Sequence, residues 1–483
     1  MRISGLASGL DIDAMVKQLM TAEKAPLDKI NQQKTQAEWK RDNYRTISTK
    51  LVSFNEKLSN LNLSKNIDSK QAVVTGATGV LTATATGVAA NSVLNVSVKN
   101  LASSSNAIYQ GTAGATKMSD LYSGTETSVT IGKATISFTA DDTIDSFVKK
   151  INSNKDSGVT AVYNSATGGL SLTNRDTGNK DIELSGELFT SNTNFTTAGV
   201  NKGVDATVVI NGLETKQTSN RFTVNGVEIS LTGVTPTGQT NQIEVTQNTD
   251  AIIDTIKSFV DFYNETIALM NQKTNEERYR TYLPLSTEQK ADMKDSEIEL
   301  WESKAKSGLL KNDSILNKSL SDMRTAMISE FNFGGTKLNI TQFGITTGSY
   351  SEKGKLVLDE DKLRTALESN PEQVTALFSQ VDSSSKGITN NDGLFNRIKK
   401  INATALESLS EKAGTSKISS DLSTAFLPQS QMGNQLTAYE RRITELQARL
   451  TRKENQYYKQ FTAMETAMNK YNSTSSSLSS MLG

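Results

Sequence analysis

Two stripes of apolar residues with alternating three- and four-residue spacing, one near each end, constrain this chain more than any other feature. The first is Tyr44, Ile47, Leu51, Phe54, Leu58 and Leu61; the second is Leu436, Tyr439, Ile443, Leu446 and Leu450, resumed at Tyr457, Phe461, Met464, Met468 and Tyr471. A repeat of about 3.5 residues lines such side chains along one seam of a helix, and that seam needs a partner helix to cover it. The two termini are each other's expected partners. The chain is then expected to fold back on itself, its middle projecting as a head on a helical stalk.

At 483 residues the chain exceeds what one core serves, so about two to four domains are expected. Hydrophobic residues make up 36% and the mean hydropathy is -0.42, which suits thin cores in an elongated protein. Lys+Arg and Asp+Glu both total 52, so charge gives no case for nucleic acid or an anionic membrane as a partner. The chain contains neither Cys nor His. That excludes Ser-His-Asp and Cys-His nucleophilic sites, thiolate or imidazole zinc sites and any disulfide framework. No stretch reaches the roughly 18 apolar residues of a membrane span. Asp11 and Asp13 fall where a secretory peptide needs an uninterrupted apolar core, so any export is expected by another route.

Along the chain, Asp11 is expected to cap a first helix carrying Ile12, Met15, Val16, Leu19 and Met20, which Pro26 interrupts or restarts. A longer helix then runs from about Leu27 to Leu61. From about residue 66 to 247 the composition turns to Thr, Ser, Gly, Asn and Val, and Val93, Asn95 and Ser97 alternate with Leu94, Val96 and Val98 as in a strand. Asn211-Gly212 and Asn225-Gly226 are turn signals of the type I′ kind, predicting two hairpins. Residues 127 to 173 read as strand-strand-helix-strand-strand, a small domain inserted into another, with the flanking strands belonging together. Helix returns at Asp250, with Ile252, Ile253, Ile256, Phe259, Val260, Tyr263, Ile267 and Met270 on one face. Ser286 and Gln289 fit a capping box, Ile315 to Phe331 is a further helix, and GITTGSYSEKGKLVL is a hairpin before two short helices, the second opened by Asn370 and Pro371. The stretches around 383–393 and 410–434 are expected to be loose, and the final YNSTSSSLSSMLG frayed.

Acidic clusters are the only catalytic material. Glu297, Glu299 and Glu302 surround Trp301, and Asp359, Glu360 and Asp361 precede a helix. A glycosidase needs two carboxylates facing each other across about 5 to 10 Å, which neighbours on one helix do not do. The simpler reading pairs Glu302 with Lys306 and makes Asp359 a helix cap. DDTID and NRDTGNKD lack the ligand alternation and terminal Glu of a calcium loop, so turn chemistry accounts for them. GLASGL has no preceding strand and no following Lys, so it is read as flexible chain rather than a phosphate cradle. No catalytic, cofactor or metal site is expected. A two-helix stalk cannot bury its apolar face completely, and Lys453 and Gln460 interrupt the seam, so the heptads are expected to offer surface to other chains.

These residues resemble those of the bacterial flagellar filament-capping family, flagellar hook-associated protein 2. SGLDIDAMVKQLMTAEKAPL at 8–27 is similar to the family's N-terminal motif. The likeness continues through PLSTEQKADMKDSEIELWESKAKSGLLKND at 284–313, GITTGSYSEKGKLVLDEDKLRTALESNPEQVTALF at 344–378 and ENQYYKQFTAMETAMNKYNSTSSSL at 454–478. In the head it rests mainly on INGLETKQTSNRFTVNGVEISLTG at 210–233.

The resemblance implies a multidomain α+β fold with terminal helices forming a coiled-coil stalk and helical domain beneath a β-rich two-domain head. The expected domains are 1–42 with 432–483 (terminal leg), 43–69 with 248–431 (helical leg), 70–118 with 203–247 (β-rich head) and an insertion at 119–202. It also implies a secreted, homo-oligomeric cap at the flagellar tip, exported through the flagellar type III channel. Flagellin, hook-filament junction proteins and an export chaperone are the implied partners. The expected oligomer and filament contacts are Tyr44, Ile47, Leu51, Phe54, Leu58, Leu436, Ile443, Leu446, Leu450, Tyr457, Phe461, Met464 and Met468. Competing readings are another flagellar axial or junction protein, whose end motifs differ from SGLDIDAMVKQLM, and an adhesin whose head binds host glycans. A carboxylate glycosidase ranks last.

Overall fold

The computed structural model describes residues 11–482. GLASGL at 5–10, expected to be flexible, lies outside the described residues. The chain divides into one unit of Met1–Asn62 with Ile253–Gly483 and another of Leu63–Ile252.

The first unit opens with α1 (Ile12–Leu61), whose N-cap Asp11 accepts from Ala14 N at 2.9 Å. It runs unbroken through Pro26, contrary to the expected interruption. A proline inside a helix leaves the carbonyl four residues earlier without its N–H partner. Here both Ala22 and Pro26 are exposed, so water can take that bond, and packing on either side holds the helix in line.

The second unit holds α2 (Ser64–Ile67), β1 (Lys70–Thr75), β2 (Leu81–Ala85), β3 (Ser92–Asn100), β4 (Asn106–Gln110), α3 (Met118–Leu121), β5 (Ser128–Ile131), β6 (Ala134–Ser137), α4 (Ile144–Ser153), β7 (Val159–Asn164), β8 (Gly169–Asn174), β9 (Leu184–Ser185), α5 (Glu187–Thr190), β10 (Thr196–Asn201), β11 (Ala206–Ile210), β12 (Leu213–Gln217), β13 (Arg221–Val224), β14 (Val227–Leu231) and β15 (Asn241–Gln247). The flanking strands combine as the antiparallel sheet β1-β15-β3-β11-β12, faced by β13-β14-β2, over a core that includes Leu94, Val96, Val98, Val208, Val227, Ile229 and Ile243. Both Asn-Gly pairs close hairpins, with φ of 48° and 85° at Asn211 and Gly212 and of 49° and 77° at Asn225 and Gly226. Positive φ at both central positions is the type I′ geometry that matches strand twist.

Between these strands sits a second core, around Tyr109, Ile131, Phe138, Phe147, Ile151, Leu172 and Phe195. The expected strand-strand-helix-strand-strand order is present, but its two hairpins do not share a sheet. β5 pairs with β6 on one side and β9 on the other, while β7 and β8 join β4 and β10 in a separate sheet. β4, which precedes the insertion expected at 119–202, pairs with β8 and carries Tyr109 into this core.

The first unit resumes with α6 (Thr249–Asn275), α7 (Thr287–Ala291), α8 (Asp295–Lys306), α9 (Ser314–Ile328), the hairpins β16 (Phe331–Phe333) with β17 (Thr336–Leu338) and β18 (Ile345–Thr347) with β19 (Leu356–Leu358), then α10 (Glu360–Ser369), α11 (Pro371–Ser379), α12 (Leu394–Ala413) and α13 (Gln431–Leu482). Its core is aromatic: Phe54 stacks with Phe259 at 6.3 Å, and Phe259 meets Phe395 at 5.1 Å and Phe378 at 5.9 Å. Each such ring contributes about 1.5 to 3 kcal/mol by leaving water.

Three stretches are more ordered than expected. Residues 383–393 are gathered by buried Asp392, which accepts from Asp382 N and Thr389 N and pairs with Lys400 at 2.8 Å. Phe426 in the 410–434 stretch lies under the guanidinium groups of Arg41 and Arg45, at 4.0 and 3.7 Å. The Ser-rich C-terminus is helical to Leu482; no Gly or Pro breaks it, and its hydroxyls turn back onto the preceding turn, as Thr474 does to Lys470 O at 2.8 Å.

Candidate assembly surface on the terminal helices

The residues expected to make inter-chain contacts fall into three groups, and only part of the set is available to another chain. Tyr44, Ile47, Leu51, Phe54 and Leu58 are each fully buried inside their own unit. Heptad spacing there serves packing within the chain: Phe54 stacks on α6, and Asn55 bonds Asn402 of α12 at 2.8 Å. Tyr44 donates its hydroxyl to Asp313 at 2.5 Å, and Lys412 reaches the same carboxylate oxygen at 3.2 Å. Burial would raise the Asp313 pKa, but the Tyr44 hydroxyl and the Lys412 charge outweigh it and hold the carboxyl below its usual range. In this arrangement the stripe packs within its own unit, and a side chain with no accessible surface meets a partner only by unfolding its own core.

The second group pairs the termini, but in a register the sequence did not indicate. α13 meets the first half of α1, not the Tyr44–Leu58 stripe. Ile12, Val16 and Met20 pack against Leu450, Tyr457, Tyr458 and Phe461. Polar contacts fix the order: Tyr458 donates to Asp13 at 2.9 Å, Tyr457 donates to Glu23 at 3.1 Å, and Lys34 pairs with Glu440 at 3.2 Å. As numbers rise along α1 they fall along α13, so the pair is antiparallel. Lys453, read as a polar fault in the seam, pairs with Glu23 at 3.3 Å. The Glu23 carboxyl is held below its usual range first by the Tyr457 hydroxyl and then by Lys453.

This seam is shallow. Leu436 and Leu446 are buried, whereas Ile443, Leu450, Tyr457 and Phe461 keep part of their surface and Gln460 is exposed. Past Phe461 the described residues leave the stripe open: Met464 is 37%, Met468 39% and Tyr471 73% exposed. Leu19 on α1 is also exposed, at the edge of the face that carries Ile12, Val16 and Met20. Met464 and Met468 are the most accessible part of the expected set, and Tyr471 extends the stripe beyond it.

The acidic clusters have structural partners. Glu302 pairs with Lys290 at 2.5 Å and Lys306 at 3.3 Å, Glu297 closes the start of α8 on Lys294 N, Asp359 caps α10, and Glu360 meets Lys257 at 2.6 Å. In the two head loops, Asp142 pairs with Lys150, Asp176 with Lys180 and Asp181 with Lys202. Among the described residues no group of three or more His, Cys, Asp or Glu is placed to hold a metal ion, and no helix is long and apolar enough to cross a membrane.

Three family profiles match the chain: Flagellar hook-associated protein 2 N-terminus at 8–105, Flagellin hook IN motif at 122–176, and Flagellar hook-associated protein 2 C-terminus at 203–473. The flagellar hook-associated protein 2 of Halalkalibacterium halodurans is 32% identical over 541 aligned residues, covering 99% of each chain. That of Escherichia coli K12 is 27% identical, covering 98% of this chain and 96% of its own. Among solved structures, the D1-D2-D3 domains of the flagellar cap protein FliD from Escherichia coli share the fold, with a TM-score of 0.56 at 21% identity over 82% of this chain and 99% of that one.

Proposed function

The chain belongs to the flagellar hook-associated protein 2 family, and from that premise we propose that it caps the distal end of a bacterial flagellar filament. In this reading several copies form a ring over the growing end, retain emerging flagellin, and help each subunit fold and insert. The observation that carries it is the build of the terminal helices. A shallow seam between α1 and α13 gives way, past Phe461, to an open stripe of Met464, Met468 and Tyr471. A cap must release and regain its hold each time a subunit is added, and thin apolar contacts edged by exposed ion pairs are weak enough to exchange. Deep burial along the whole stripe would lock it.

The role is structural rather than enzymatic, and it requires export to the filament tip. A chain with no Cys passes the flagellar type III channel without a disulfide to obstruct it. Flagellin and further copies of the chain are the primary partners, with junction proteins and an export chaperone encountered on the way. Deleting the gene in its own bacterium tests the proposal by comparing flagellin in the medium with flagellin in attached filaments. Abundant monomer in the medium with few filaments, reversed by restoring the gene, is the expected result. Normal filaments would overturn it in favour of an accessory axial protein.

A further inference from the structure

A cleft of about 580 Å³ lies between α6, α9 and the turn joining β18 to β19, well apart from the terminal seam. Its lining includes Arg324 and Lys353 and no carboxylate; the rest is largely amides and hydroxyls, such as Asn271, Asn317 and Ser349, beside the apolar shelf of Leu320 and Ile328. The acid of the adjoining turn, Glu352, is already committed to Ser349 N at 2.7 Å and Ser349 Oγ at 2.9 Å, so the donors that face the cleft are complementary to a further carboxylate.

Two donors at its floor lack acceptors. The Tyr263 hydroxyl belongs to a side chain with no accessible surface and has no partner, and Arg324 Nε is likewise buried and unpaired. Burial pushes the Tyr263 phenol well above its ordinary pKa, so it remains a donor. Buried donors without acceptors are costly and uncommon, and each calls for a physical reason.

The turn beside both donors is closed by its own bonds, Gly348 N to Lys355 O at 2.7 Å and Ser349 N to Glu352 at 2.7 Å, but is lightly tied to α6. Asn271 accepts from Arg324 Nη2 at 3.0 Å, but its own bond to the turn, to Lys353 O, is long at 3.5 Å. Lys353 sits at φ 51° and Gly354 at φ 90°, in the left-handed region. A Cβ at Gly354 would come within 2.7 Å of Arg324 Nε, so a larger residue there would displace the guanidinium. Orphaned donors beside a strained turn mark a place where an acceptor is missing.

We propose that this cleft binds an extended acidic peptide segment of a partner chain, Arg324 and Lys353 reading its carboxylate while the 348–354 turn yields and the Tyr263 hydroxyl gains an acceptor. The volume suits a short run of residues, and the amides and hydroxyls around the rim can take the peptide's own backbone groups.

The test uses the full chain and a labelled, capped Gly-Asp-Gly-Glu-Gly peptide, its Asn/Gln counterpart, and inorganic phosphate as competitor. The acidic peptide should bind and the amide version should not; Arg324→Gln should weaken binding about tenfold, the loss of one charge-assisted contact. Tyr263→Phe should raise the Tm of the unliganded chain, by removing an unpaired buried hydroxyl, and should reduce the Tm gain given by the peptide. Equal binding of both peptides, binding of neither, or full displacement by phosphate would overturn the assignment. A lower Tm for unliganded Tyr263→Phe would do so as well, since the hydroxyl would then already have a partner.

Discussion

Asp313 shows how one side chain can tie a helical unit together. It caps α9 through Ile315 N and Leu316 N, accepts the Tyr44 hydroxyl from α1, and pairs with Lys412 from α12. Asp313→Ala removes the cap and strands a fully buried tyrosine hydroxyl, while Lys412 keeps some access to water. The expected loss is about 2 to 4 kcal/mol, read from the urea midpoint, with Asp313→Asn milder because an amide oxygen can still cap. A carboxylate with a depressed folded pKa adds stability above its unfolded value of about 4 and loses it as pH falls through the folded value. Asp313 is one such group; Asp382 is another, brought down to about 2 by the hydroxyls of Ser384 and Thr389 and by Ser384 N. Acid should therefore loosen the 382–393 loop between about pH 4 and about pH 2, which amide hydrogen exchange would follow. Loss of protection already at pH 6 would contradict this account.

At the scale of elements, two stripes with the same spacing have different roles, and substitutions separate them. Leu51→Ala removes a fully buried core side chain and should cost about 2 to 5 kcal/mol of unit stability. Leu446→Asp lies in the shallow seam; it should open α13 to trypsin while α6, α9 and α12 keep their cooperative unfolding, and should stop filament growth. A variant that still swims normally would remove the seam from the mechanism. Lys453→Ala should cost under about 1 kcal/mol, because its pair with Glu23 is partly solvated. The two stripes were legible as heptads, but their fates were not. Periodicity says that a face is covered without saying by what, and the neighbours of Leu51 come from elements hundreds of residues away, as the contact between Asn55 and Asn402 illustrates.

For the whole molecule, the residues 63–252 carry their own strand pairs and two cores drawn from within the segment. Expressed alone, this segment should fold cooperatively, with a β-sheet circular dichroism spectrum and a single or double thermal transition; a random-coil spectrum would refute its independence. Much was determined locally by the sequence: the Asp11 and Asp359 caps, the Ser286–Gln289 capping box, the two Asn-Gly turns and the buried face of α6, each set by chemistry within a few residues. The family was legible too, from motifs at both ends. Tertiary structure alone decided the rest. It carried α1 through Pro26, sent the hairpins of the inserted module to different sheets, brought Tyr109 of β4 into that module's core, and placed α13 against Ile12–Met20 rather than the Tyr44–Leu58 stripe. These outcomes depend on competition between surfaces distant in sequence, and the face with the greater apolar area to bury against wins irrespective of spacing.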